Sequence, residues 1–135
     1  MPIFEWDDSL SIGNEKIDSQ HRELIAKIDL LAEAILRREG RNKIGRVLSF
    51  MREYGELHFA SEEELMDRYG YPGTEEHKRQ HARFHETTKR LTGQLESDAE
   101  MDFLASTVER FLIDWLILHI KTADRELGEF LKGKI

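Results

Sequence analysis

Histidines and carboxylates recur in this sequence at spacings that could bring their side chains to one point. His58 and Glu62 are four residues apart, and so are His77 and His81. Because residues four apart stack on the same face of an α-helix, each pair can present two donor atoms to one point. Neutral imidazoles and carboxylates are common metal ligands in proteins. The spacing therefore predicts a metal site built from helices.

The same side chains occupy positions where a helical bundle would have its apolar core. The inward positions that carry a polar residue are His21, His58, Glu62, His77, His81 and His119. Burying one unpaired polar side chain costs about 1–3 kcal/mol, and a domain has a net stability of only about 5–15 kcal/mol. A single inward histidine is more often a hydrogen-bonded core residue than a ligand. A cluster of this size needs a compensating partner, and a metal ion is the natural one.

The last helix poses a separate geometric problem. His119 and Asp124 are five residues apart, which corresponds to about 140° around an ideal α-helix. Such a pair does not chelate one ion easily. We expect either that the two side chains reach different parts of a larger site or that the helix contains a π-type widening between them.

Three other polar residues near these positions are predicted to lie outside the site. His85 follows His77 by eight residues, which places it about 80° further around the helix. We expect it to be solvated or to lie behind the ligands. Glu63 and Glu64 are predicted to be surface charges.

Composition excludes several other kinds of site and partner. The 135 residues include no cysteine, which excludes disulfides, thiolate metal sites, iron–sulfur clusters and a cysteine nucleophile. The net charge of −7 argues against binding to nucleic acid or to an anionic membrane surface, because both need a basic face. The sequence shows no signal peptide and no stretch long enough to span a membrane. We expect a cytoplasmic protein.

Hydrophobic periodicity organises most of the chain into helices. Within residues 16–131, apolar residues recur at helical spacing in four stretches: 16–38, 43–69, one that begins at Thr74 and one that ends at about Leu131. Residues 1–15 show no helical period and predict a non-helical N-terminal arm. The short links favour an all-α fold, an up-down-up-down antiparallel four-helix bundle, in a single domain over residues 1–135.

Turn and capping residues mark the predicted helix ends. Gly40 is predicted to end the first helix as a C′ glycine, and the turn at 70–73 ends the second. Thr74 is predicted to cap the third helix, and 97–100 to form a capping box before the fourth. The inward face of the fourth helix is predicted to carry Leu104, Val108, Phe111, Trp115 and His119.

Four sequence blocks follow one another on these predicted helices. They are 17–24 (IDSQHREL), 58–66 (HFASEEELM), 77–84 (HKRQHARF) and 115–124 (WLILHIKTAD), with Tyr71 and Pro72 before the third. The chain in this respect resembles the hemerythrin family, in particular its single-domain bacterial members. The blocks match that family's first-helix signature and its HFxxEExLM, HKxxHxxF and WLxxHIxxxD patterns. One block alone would be weak, whereas all four in this order are specific.

The resemblance implies a non-haem di-iron centre that binds O2 reversibly. By that match, His77, His81 and His119 hold one iron, His21 and His58 hold the other, and Glu62 and Asp124 bridge the two together with an oxide or hydroxide. This set leaves one position of two octahedral ions open, on the iron with two histidines, for O2. The implied function is oxygen carriage, storage or delivery rather than catalysis.

Reversible O2 binding needs a dry pocket, because water or protons would promote irreversible oxidation of the iron. The neighbours of the predicted ligands that could wall this pocket, which the resemblance also favours, are Leu24, Phe59, Trp115, Leu116 and Ile120. All five could also be ordinary core residues. The residues leave three other functions open: a di-iron enzyme that handles peroxide or nitric oxide, a stand-alone O2 or redox sensor, and a metal store or structural zinc site.

Overall fold

The computed structural model of the protein describes residues 2–134, most of which form four helices. Helix α1 is Glu15–Leu36, α2 is Arg41–Tyr69 and α3 is Thr74–Glu96. The fourth helix, α4, runs without a break over 101–131 and contains both α-helical and wider π segments. Each helix packs against the next, and α4 also packs against α1. The predicted all-α four-helix bundle is confirmed.

Apolar side chains at helical spacing form the core between these helices. On α1, the predicted inward residues Ile17, Leu24, Ile28, Leu31 and Ile35 are all at most 1% exposed. The same face continues through His21, which is also fully buried. No helix within residues 2–134 combines the length and the apolar character needed to cross a membrane.

The predicted ends of the first two helices are correct to within two residues, but Gly40 has a different role. The residue in a left-handed conformation after α1 is Arg38, with a φ of 53°. Gly40 instead precedes α2 as its N-cap, with a φ of 95°. Gly70 ends α2 as predicted, with a φ of 66°. Periodicity locates a short link, but it does not determine which of its residues turns the chain.

The predicted caps of α3 and α4 are wrong. Thr74 is the first residue of α3 rather than its cap, and its hydroxyl donates to the carbonyl oxygen of Tyr71 at 2.6 Å. Ser97 ends α3 instead of opening a capping box, and Glu100 precedes α4 without a side-chain capping bond. The reason is that α3 extends to Glu96, so the residues predicted to start α4 are used to finish α3.

Helix α4 contains two π segments, Glu109–Ile113 and Ile120–Asp124. The second confirms the predicted widening between His119 and Asp124. The first was not predicted, and it changes which side chains point inward: Phe111 is 47% exposed, and Leu112 is buried in its place. Buried residues then recur every four positions, at Leu104, Val108, Leu112, Leu116, Ile120 and Asp124.

A spacing of four has a physical consequence in a long helix. Four residues of an ideal α-helix overshoot a full turn by about 40°, so repeated steps of four would rotate the seam away from the core. A wider turn accommodates the extra residue without this rotation. The two π segments therefore keep one face of α4 in the bundle from Leu104 to Asp124.

The N-terminal arm lies over the helices, as predicted, but it is not entirely non-helical, because Asp8–Leu10 form a 3-10 turn. The arm is attached by two aspartates of α1. Asp18 accepts hydrogen bonds from the hydroxyl of Ser11 and the backbone N–H of Ile12, at 2.5 and 2.9 Å. Asp29 accepts from the backbone N–H groups of Ile3 and Phe4, at 2.7 and 2.9 Å. These bonds hold buried apolar side chains of the arm, including those of Phe4 and Ile12, against the bundle.

We expect Gly128→Ala to destabilise the protein, because the arm passes directly over this glycine. A Cβ at this position would lie 2.3 Å from the carbonyl oxygen of Ile12, and backbone must move to relieve the contact. The expected cost is about 1–3 kcal/mol, measured by urea denaturation.

The matched control is Gly93→Ala, also in a helix, where no atom lies within 4 Å of the new Cβ. There alanine is expected to stabilise the protein by about 0.5–1 kcal/mol, the ordinary effect in a helix. Equal effects of the two substitutions would show that the arm does not pack on Gly128.

Candidate metal centre

Seven chelating side chains from all four helices converge inside the bundle. They are His21 from α1, His58 and Glu62 from α2, His77 and His81 from α3, and His119 and Asp124 from α4, and each is at most 2% exposed. Their donor atoms form two groups, in each of which all atoms lie within 4.8 Å of one another. Glu62 and Asp124 belong to both groups.

The first group brings three histidines to one side of the two carboxylates. His77 Nε2 lies 3.1 Å from Glu62 Oε1 and 2.9 Å from Asp124 Oδ1. His81 Nε2 lies 3.0 Å from Glu62 Oε1, and His119 Nε2 lies 3.1 Å from Asp124 Oδ1. One oxygen of each carboxylate therefore faces this group.

The second group uses the other oxygen of each carboxylate. His21 Nε2 lies 3.3 Å from Glu62 Oε2 and 2.9 Å from Asp124 Oδ2. His58 Nε2 lies 2.9 Å from Glu62 Oε2. Each carboxylate thus stands between three histidines on one side and two on the other, with a separate oxygen for each side. This is the arrangement that a carboxylate bridging two metal ions requires.

The π segment before Asp124 makes this arrangement possible. In a regular α-helix, the side chains of His119 and Asp124 would diverge by about 140°. The widened turn Ile120–Asp124 brings them to the same group, and Asp124 is completely buried. His119 and Asp124 therefore contribute to the same group of donor atoms, as the expectation of a widened turn requires.

Several donor atoms of the cluster are buried without a hydrogen-bond partner. Within residues 2–134, these atoms include Nε2 of His21, His58 and His119, Oε2 of Glu62 and both carboxylate oxygens of Asp124. Their mutual contacts are short but lack hydrogen-bond geometry. A buried polar atom left unpaired costs free energy, and imidazole nitrogens and carboxylate oxygens are ligands that iron and similar ions accept. The donor set therefore fits two metal ions.

The two carboxylates shift the pKa of two histidines of the centre. Burial lowers the pKa of His21 and His77, but their close contacts with the carboxylates of Asp124 and Glu62 and the attraction of those negative charges outweigh it. They raise the pKa of His21 to about 10 and that of His77 to about 9. Metal ions must displace these protons, so metal binding weakens as the pH falls.

The two carboxylates show the reciprocal effect. Burial raises the pKa of Glu62, but electrostatic attraction to His58 and close contacts with His21 and His77 hold it well below its ordinary value. For Asp124, burial and the nearby Glu62 also raise the pKa, and His119 and His21 outweigh them. Both carboxylates are therefore ionised and available as ligands near neutral pH.

Three of the histidines are oriented by hydrogen bonds through their other ring nitrogen. His58 Nδ1 donates to Gln20 Oε1 at 2.8 Å, and His119 Nδ1 donates to Gln80 Oε1 at 2.6 Å. An amide oxygen can only accept, which places the proton on Nδ1 and leaves the Nε2 lone pair facing the centre. Each contact joins two different helices, so spacing along one helix gives no signal of it.

The third of these bonds corrects the prediction for Glu63. Its Oε2 accepts from His81 Nδ1 at 2.8 Å, so Glu63 supports the site and is not a simple surface charge. Glu64 is 60% exposed, as predicted. Glu63 follows Glu62 in the sequence, but its side chain reaches across to α3. The sequence alone does not show this contact between helices. His85 belongs to neither donor group and lies with its ring centre 5.8 Å from that of Phe59.

Aromatic rings cover part of the cluster. Phe59 stacks on His81 with a centroid distance of 4.1 Å, and Trp115 stacks on His119 at 4.6 Å with the ring planes only 10° apart. The sequence placed Phe59 beside His58, but its ring is closer to His81. Leu24, Leu116 and Ile120 are fully buried in the same core.

Comparison with known sequences associates this centre with one family. The sequence profile described as the hemerythrin HHE cation binding domain matches residues 12–131. The bacteriohemerythrin of Stenotrophomonas maltophilia is 34% identical over 136 residues, which cover 100% of this chain and 86% of that protein. The bacteriohemerythrin of Clostridium acetobutylicum is 30% identical over 128 residues, which cover 92% of this chain and 98% of that protein.

Solved structures show the same fold. The crystal structure of wild-type hemerythrin matches with a TM-score of 0.81 and 24% identity, over 94% of this chain and 96% of that chain. The profile match extends over most of the sequence and over all seven clustered side chains. The chain therefore belongs to the hemerythrin family.

Proposed function

We propose that the protein binds O2 reversibly at two iron ions held in this centre. His77, His81 and His119 hold one iron, and His21 and His58 hold the other. Glu62 and Asp124 bridge the two ions. When bound, the iron pair supplies the two electrons that O2 accepts and returns. The family relationship and the clustered His, Glu and Asp side chains support this function.

The observation that carries the ligand assignment is the division of the carboxylate oxygens. Glu62 turns Oε1 to His77 and His81 and Oε2 to His21 and His58. With a further oxygen bridge, five nitrogens and two bridging carboxylates fill all but one position of two octahedral ions. The free position would belong to the ion held by His21 and His58, and a small ligand would bind there.

We propose that apolar side chains keep this position dry. The proposed walls are Leu24, Phe59, Trp115, Leu116 and Ile120, of which all but Trp115 are at most 1% exposed. Water or protons that reach bound oxygen would leave the irons oxidised, so the chain's contribution to reversibility is to exclude them. Ligation by five histidines and apolar surroundings favour carriage over oxidation of an organic substrate. We further propose that the protein works in the cytoplasm, in line with its lack of cysteine.

An oxygenation cycle tests this function. The protein is loaded with ferrous iron and reduced without air, then exposed to O2 and returned to an inert atmosphere, while the charge-transfer absorption between oxygen and iron is recorded. We expect a band that appears with O2 and disappears when O2 is removed. Irreversible bleaching with consumption of a reductant would indicate an enzyme, and no band would indicate another metal or a structural site.

Leu116→Ala is expected to accelerate autoxidation, because it removes apolar volume from the proposed wall. The loss of absorbance of the oxygenated protein in air measures this rate. The control is Leu104→Ala, which removes an equally buried leucine from the same helix, three turns away from Leu116. Both substitutions should cost about 2–5 kcal/mol of stability. Equal autoxidation rates in the two variants would contradict the assignment of Leu116 to the pocket wall.

Glu63→Ala is expected to weaken iron binding about 10–100-fold, because His81 loses the acceptor that orients its ring. Competition with a ferrous chelator measures the affinity. The control is Glu64→Ala, which removes the neighbouring carboxylate from the exposed face of α2 and should change little. Glu63→Gln keeps an oxygen acceptor and should retain more affinity than Glu63→Ala. Identical affinities for Glu63→Ala and Glu64→Ala would show that the bond to His81 has no role in iron binding.

A further inference from the structure

A small cavity connects the protein surface with one of the ligand histidines. It has a volume of about 150 Å³ and lies where the turn after α2 and the start of α3 meet α4. The lining residues that matter here are Tyr71, Glu76, His77, Gln80, Thr122 and Glu126. His77 is only 2% exposed and forms the inner wall of the cavity.

His77 differs from three other histidines of the centre. Its Nε2 faces Glu62 and Asp124, but no residue in the range 2–134 accepts a hydrogen bond from its Nδ1. His58, His81 and His119 each use Nδ1 in a bond to Gln20, Glu63 or Gln80. The ring of His77 is therefore held on the cavity side by packing against Tyr71, whose ring centre lies 6.5 Å away.

The cavity owes its position to the same widened turn that aims Asp124. Thr122 and Ala123, which line it, belong to the π segment Ile120–Asp124. The hydroxyl of Thr122 donates to the carbonyl oxygen of Leu118 at 2.7 Å, so its side chain follows the helix and does not fill the cavity. The π segment Ile120–Asp124 thus both positions the ligand Asp124 and contributes two residues to the cavity.

The charges along this cavity are negative. Glu76 and Glu126 are exposed at its rim, and the buried carboxylates of Asp124 and Glu62 lie behind His77. Arg79 pairs with Glu76 at 3.1 Å on the outer surface and offsets part of that charge.

We propose that this cavity is the port through which Fe2+ reaches the empty centre. Glu76 and Glu126 attract the hydrated ion and exchange some of its water for carboxylate oxygen, and His77 is the first nitrogen ligand that it meets. This proposal rests on the proposed function, because it requires the centre to be an iron site. Oxygen donors at the rim hold the ion weakly, and the inner set of imidazoles and shared carboxylates holds it more strongly. The ion therefore moves inward.

The chemistry of the cavity separates a route for cations from a route for O2. A neutral, apolar molecule gains nothing from two rim carboxylates, whereas a divalent cation is concentrated by them. The proposed open position for O2 also lies on the other iron, with His21 and His58. The cavity is therefore proposed as a route for iron and not for O2.

The rate of iron uptake by the metal-free protein tests the proposal. Ferrous ions are mixed with the protein under strictly anaerobic conditions, and at set times a ferrous chelator captures the iron that remains free. The variant is Glu76→Gln with Glu126→Gln. The control is Glu75→Gln with Glu129→Gln, which changes the net charge equally on the same two helices but outside the cavity lining.

We expect the initial uptake rate of the cavity variant to fall about tenfold, with the final iron content unchanged, and the control to load like the parent protein. The difference should shrink at high salt, because exposed charges are screened. Equal rates in both variants would overturn the proposal, and so would a lower final iron content confined to the cavity variant, since the carboxylates would then be lasting ligands. Oxygen is absent from the assay, so a failure of O2 binding would be recognised separately.

Discussion

Two fully buried carboxylates, Glu62 and Asp124, stand at the middle of this bundle, each with its two oxygens turned to imidazoles on opposite sides. Ionised carboxylates in an apolar interior are costly unless positive charge lies between or beside them. Metal ions held between the two groups of histidines would supply that charge. Because ligands come from all four helices, binding metal also joins the four helices at one point.

Helix α4 shows how the fold adapts to this requirement. A regular helix could not aim His119 and Asp124 at the same ion, and the π segment Ile120–Asp124 removes the conflict. The earlier π segment Glu109–Ile113 keeps the apolar residues before the site in register with the core. The widened turn Ile120–Asp124 places the carboxylate of Asp124 at the centre, and two of its residues line the cavity beside His77.

The surroundings of the centre differ from side to side. Phe59 and Trp115 cover His81 and His119 with flat aromatic faces, which exclude water there. At His77 the neighbours are polar, and the carboxylates Glu76 and Glu126 stand at the opening. The aromatic cover and the polar opening therefore lie at different histidines of the same group.

Much of this protein is readable from the order of its residues. The helical periodicity, the i, i+4 pairs His58–Glu62 and His77–His81, and the five-residue step to Asp124 are local features that can be read within a single helix. They predicted the four-helix bundle and the polar face inside it, and they gave a π segment near Asp124 as one of two alternatives. The buried residues that recur every four positions from Leu104 to Asp124 also indicate the first π segment. It was not predicted because the inward face was drawn through Phe111 instead of Leu112.

Only the tertiary structure decided which groups meet across helices. Gln20 reaches His58, Gln80 reaches His119 and Glu63 reaches His81, each from another helix. The roles of Gly40, Thr74 and Ser97 likewise depended on where a neighbouring helix ended. The division of each carboxylate between two groups of histidines was decided at the same level. Periodicity gives the direction of a side chain from its own helix axis, but the distance and rotation between packed helices determine what that side chain touches.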